Sequence, residues 1–117
     1  MSVEWVEWGD KEILYADFRG LKRAQLIPQL ELTARMLENT PGQCLLLLNF
    51  KDVSVHFAYL RRCNELGQRV IHPKTAKLAV LGIDGIKATM FVTFNKIVGQ
   101  KSASFQTEQQ AMDWLVK

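Results

Sequence analysis

The sequence predicts an α/β domain: a mixed, mostly parallel sheet of about five strands, about four helices, and an antiparallel hairpin at the N-terminal end. Three features point there. Strand-like and helix-like segments alternate in the order β-β-α-β-α-β-α-β-α. The run 44–48 is continuously apolar between turn signals, as in a parallel strand buried on both faces. And 117 residues, 48% hydrophobic and 23% charged, suit a single globular domain spanning residues 1–117.

Residues 3–8 alternate imperfectly and are rich in Val and Trp, which suits a strand. Gly9-Asp10 is a turn signal, and residues 13–18 are the returning strand of a hairpin. Gly20 breaks that strand. Over residues 21–38, Ile27, Leu30, Ala34 and Leu37 recur every three or four positions, one face of a helix. Pro28 either starts its regular part or kinks it. Residues 39–42 (Asn-Thr-Pro-Gly) end it.

The strand 44–48 is followed by a loop over 49–55. Residues 56–71 read as a helix with Phe57, Leu60, Cys63, Leu66 and Val70 on its apolar stripe. His72-Pro73 is expected to close it, because a residue before proline disfavours the helical region. Residues 75–81 form the next strand, and Gly82 to Gly85 a tight turn. A helix is expected over 86–98, a short strand over 101–105, and a last helix capped by Thr107 with Gln110. Ala111, Trp114 and Leu115 are its expected buried face.

Seven Gly and three Pro are too few for a disordered chain. The net charge of +3 is unevenly spread. Residues 1–40 hold five basic and seven acidic side chains. Residues 61–101 hold eight basic against Glu65 and Asp84, net +6. That segment is where an anionic partner is sought, unless its charges are solvated faces on separate elements. No aromatic stacking set is interleaved with them, so no nucleic-acid partner is expected. Cys44 and Cys63 lack metal spacing to each other or to His56 and His72, so no metal is expected and the thiols read as buried and reduced. No signal peptide and no apolar run of membrane-spanning length is present, so a cytoplasmic protein is expected.

Four segments carry a family resemblance. They are residues 13–21 (ILYADFRGL), 45–54 (LLLLNFKDVS), 79–87 (AVLGIDGIK) and 105–115 (FQTEQQAMDWL). In this order and spacing the chain resembles the STAS superfamily, and most closely the stand-alone bacterial SpoIIAA-like group. The resemblance implies a non-catalytic regulatory module that docks a protein partner, as anti-sigma factor antagonists do. In that family a phosphorylated serine at a helix N-terminus, in a pattern like Asp-Ser-Ser-Gly, controls docking. With Asp52-Val53-Ser54 aligned to the family's loop, the signature falls on His56-Phe57-Ala58-Tyr59, and none of the four matches. The resemblance therefore implies the scaffold without the serine switch. Ser54, a little upstream, is the nearest serine and reads as a loop-capping hydroxyl.

Ligands of open α/β sheets bind outside the carboxyl ends of the strands. The candidates there are Asp52, Ser54, His56, Tyr59, Gly82, Asp84 and Gly85. Asp52 and Asp84 are turn residues or a carboxylate pair across two loops. His56 starts a helix near Asp52 and reads as a surface or structural histidine. Gly82-x-x-Gly85 before a helix is a weak anion signal without P-loop spacing. No nucleophile motif is present, so no enzyme and no cofactor is expected. The helix 86–98 is apolar on more than one face, through Met90, Phe91, Phe94 and Val98. Core packing, a partner or homodimer interface, or a pocket for a lipid-like ligand are the alternatives. The last follows a comparison of the SpoIIAA-like group with Sec14-type lipid-binding domains, at the level of fold layout.

Overall fold

Val3, Trp5 and Val6, opposite Ala16, Leu14 and Ile13, make the expected hairpin. β1 (Ser2–Trp8) pairs antiparallel with β2 (Lys11–Asp17), from Ser2 opposite Asp17 to Trp8 opposite Lys11. Gly9 turns the chain at φ 65°, a left-handed conformation open to glycine without steric cost. The computed structural model describes residues 2–83 and 102–117.

Helix α1 (Arg23–Glu38) follows. Its buried side is Leu26, Gln29, Leu30, Thr33, Ala34 and Leu37, while Ile27 is only partly buried. Pro28 lies in the second turn and the helix runs through it. The two buried polar residues are satisfied. Gln29 accepts from the Ser2 N–H at 3.0 Å and donates to the Asp17 carbonyl at 2.6 Å, and Thr33 donates to the Gln29 carbonyl.

β3 (Cys44–Asn49) returns parallel to β2, and β4 (Thr75–Leu81) lies parallel to β3. Between them runs α2 (Phe57–Leu66), which continues as a π-helical turn (Gly67–Ile71) and a final turn (His72–Lys74). Proline therefore does not close the helix at His72, as expected, but sits inside its last turn. The wider turn carries the His72 N–H back to the Gly67 carbonyl, and Thr75 Oγ1 bonds the Ile71 carbonyl at 2.7 Å. β5 (Ser102–Phe105) pairs parallel with β4, and α3 (Glu108–Leu115) ends the chain. The sheet order is β1-β2-β3-β4-β5. Five strands, parallel except for the hairpin, and three helices are thus present among the described residues. The fourth helix, expected over 86–98, lies outside them.

Side-chain alternation divides the core in two. Leu14, Ala16, Leu46, Leu48, Leu78 and Val80 face α1 and α2. Ile13, Tyr15, Leu47, Ala79 and Leu81 face α3. Thr107 caps α3 as expected, its hydroxyl accepting from the Gln110 N–H at 3.2 Å. The buried face of α3 is Ala111, Met112 and Leu115. Trp114 is half-buried instead, packed against Phe105 and under the Lys77 ammonium.

Candidate functional site

The parallel strands β2, β3 and β4 end side by side at Asp17, Asn49 and Leu81. The loop 50–56 after β3 is held there by main-chain bonds. The Phe50 N–H reaches the Leu81 carbonyl at 2.9 Å, and the Val53 N–H reaches the Phe50 carbonyl at 3.0 Å. Asp52 takes φ 60° at the turn, a conformation that Asn and Asp tolerate best among side-chain-bearing residues. Gly82 (φ 79°) lies so close that a methyl in place of its hydrogen would overlap the Lys51 main chain.

On the α3 side of these strand ends a polar network crosses from sheet to helix. Asn49, almost fully buried, accepts from the Lys51 N–H at 3.0 Å and donates to the Tyr15 hydroxyl at 2.9 Å. Tyr15 in turn donates to Glu108 Oε1 at 2.6 Å. Burial, with Glu108 as hydrogen-bond acceptor, pushes the Tyr15 phenol up to about 12. Arg19 forks onto both Asp17 carboxylate oxygens and lies 3.6 Å from Glu108. Burial works to raise the Asp17 carboxyl, but the Arg19 guanidinium and N–H bonds overcome it and hold the group below its ordinary value. The network links residues from β2, β3 and α3, and nothing at any one of those positions signals it in the sequence.

On the α1–α2 side the candidates separate. Tyr59 is 1% exposed, edge-on to Phe18 and Phe50, so it belongs to the core and not to an exposed docking surface. Its hydroxyl has no hydrogen-bond partner of good geometry among the described residues, although the Cys63 thiol one turn on acts on it. A thiol is a weak partner, so burial dominates and drives the phenol well above its ordinary range. Burial likewise pushes Cys63 up to about 11. His56 is the N-cap residue of α2. It is half-buried, its Nδ1 unpartnered, and no ion pair joins it to Asp52 among the described residues.

Phe57, expected in the core, is 71% exposed on the first turn of α2. The Arg61 guanidinium lies over its ring, 5.0 Å from the centroid. Lys51, Asp52 and Ser54 are exposed beside it in sequence. The stripe reading does not foresee this exposed aromatic-cation pair. A spacing of three repeated from 57 to 66 drifts about 180° around a helix, so Phe57 and Leu66 point to opposite sides.

Asp84, Gly85, Met90, Phe91, Phe94 and Val98 lie outside the described residues, so the carboxylate-pair, anion-turn and apolar-helix expectations do as well. Of the described basic residues between 61 and 81, Arg62 pairs with Glu31 and Glu65, Lys74 donates to the Thr40 carbonyl and Lys77 to the Trp114 carbonyl. They are tied to separate elements. Both cysteines are free thiols. Among the described residues no cluster could hold a metal ion, and no helix is long and apolar enough to cross a membrane.

No protein-family model, curated protein or solved structure matches this chain.

Proposed function

We propose that the chain is a non-catalytic regulatory module, resembling STAS-type anti-sigma factor antagonists, that docks a partner protein at the carboxyl ends of its strands. The observation that carries this is Phe57, 71% exposed on the first turn of α2 beneath Arg61. Burying a phenylalanine side chain contributes about 1.5–3 kcal/mol, so an exposed one beside a charged rim is a natural interface anchor. Lys51, Asp52, Ser54 and Arg61 supply that rim. The loop 50–56 is pinned to its neighbours, so the surface is organised before a partner arrives.

The STAS reading is supported by the five-strand sheet with an antiparallel hairpin on one edge, the layout that the resemblance implies. The family's phosphorylatable serine has no counterpart at residues 56–59, so docking here is constitutive or controlled elsewhere.

Affinity capture from cells with wild-type protein and with Phe57→Asp and Asp52→Arg variants tests the reading. Proteins retained by the wild type and lost from both variants are expected. An unchanged retained set for both variants contradicts it.

A further inference from the structure

We propose that the free edge of β1, with the groove beside Trp5, receives an extended basic segment of a partner protein as an added strand. Among the described residues β1 pairs only with β2. Alternate residues of an edge strand turn their N–H and C=O groups outward, ready to pair with another chain. β1 is seven residues long and in unbroken register, so it offers a regular template.

The hairpin that carries that edge is acidic, which favours a positively charged partner. Between residues 2 and 12 stand Glu4, Glu7, Asp10 and Glu12 against Lys11 alone. Glu7 sits directly opposite Glu12 across the hairpin, a destabilising like-charge pair. Both are exposed, and no ion pair among the described residues involves either. Trp5 is 37% exposed and, two positions from Glu7, shares its face of the sheet. Trp5 and Glu12 line a groove of about 520 Å³ with Lys11, Thr40, Gln43, Cys44 and Leu45. Trp5 of the edge strand walls this groove, which extends over β2 and β3. A lysine or arginine on the added strand therefore reaches across the indole, stacking on the ring and pairing with Glu7 and Glu12, which outnumber the one groove cation, Lys11. A second copy of this chain would bring the same acids to the seam, so a basic partner is the favoured occupant. The groove lies at the amino ends of β2 and β3, away from the Phe57 surface, so this site stands independently of the proposed docking surface.

The full chain is titrated with a tagged ten-residue peptide alternating lysine and valine, read by anisotropy and by amide NMR shifts. Its controls are the same peptide with glutamate for lysine, and with N-methylation at alternate residues. Binding of the lysine peptide alone is expected, with shifts centred on Ser2–Trp8 and the Trp5 indole. Trp5→Ala is expected to weaken it at least fivefold, and Glu7→Lys with Glu12→Lys to reverse the preference to the glutamate peptide. Equal binding of lysine and glutamate peptides, retained binding of the N-methylated peptide, or shifts away from β1 would overturn the proposal. So would concentration-dependent dimerisation that protects the β1 amides, which would make a second copy the occupant.

Discussion

Tyr15 donates its hydroxyl proton to Glu108 at 2.6 Å, tying the middle of β2 to the first residue of α3. The same hydroxyl accepts from Asn49, whose side chain also fixes the Lys51 N–H. One buried phenol thus couples the loop after β3 to the last helix. The loop after β3 is organised from beneath by this network and by its own main-chain bonds.

The chain has two tyrosines, and both are held protonated. Tyr15 is raised from 10.0 to about 12 by burial and Glu108, and burial raises Tyr59 well above 10.0. A phenol raised on folding contributes stability that is complete below its unfolded value and is lost as pH climbs through the folded one. The native protein should therefore show no phenolate absorbance step near pH 10, and should lose stability between 10 and about 12. A step worth one tyrosine with a midpoint near 10 would contradict the network.

Asp17 behaves in the opposite sense. Despite burial, Arg19 holds its carboxyl below 3.8, so its contribution is present above the unfolded value and is lost as pH falls through the folded one. Arg19→Ala is expected to move the acid-unfolding midpoint to higher pH while leaving stability near pH 7 changed by no more than about 1 kcal/mol. An unmoved acid midpoint would contradict this.

Phe57 and Tyr59 should give opposite results on truncation. Phe57→Ala removes an exposed ring and is expected to change stability by no more than about 0.5 kcal/mol. Tyr59→Ala empties a site enclosed by Phe18 and Phe50 and is expected to cost about 3–5 kcal/mol, as large core aromatics do. Urea denaturation of both variants measures the difference. Equal losses would mean that the two rings do not divide their roles in this way.

These two residues also mark where sequence periodicity works and where it stops. Local alternation and spacing carry the hairpin, the parallel strands at 44–49 and 75–81, and the Thr107 cap. The stripe Cys63, Leu66 and Val70 is correct. Its true N-terminal continuation is Tyr59, four before Cys63, and not Phe57. Both rings are large and apolar, so composition does not separate them. Helical phase does. The π-helical turn at Gly67–Ile71 lets the helix pass Pro73, which the residue-before-proline rule does not foresee. The Asn49–Tyr15–Glu108 network was not legible at all, because its members are 34 and 93 positions apart and meet only through sheet register and the return of α3.

Gly82 is expected to be intolerant of any side chain. Its φ of 79° strains an L-residue, and a Cβ would overlap the Lys51 main chain. The left-handed conformation alone costs about 1–3 kcal/mol for a residue with a side chain. The overlap adds to that by pushing the β3 loop off the end of β4. Gly82→Ala should lower the thermal midpoint and speed hydrogen exchange at the Phe50 amide, which bonds Leu81. Unchanged exchange there would show that the two loops are not held together as described.

The most direct test of the docking account is site-specific photo-crosslinking in cells. A photoreactive residue at position 57 is compared with one at Asp10, an exposed position in the β1–β2 turn, at the other end of β2 from the carboxyl ends of β2, β3 and β4. The account predicts a discrete crosslinked partner from position 57, lost when Arg61→Glu or Asp52→Arg is added, and none of that adduct from position 10. The same adducts from both positions, or none from position 57, would contradict it.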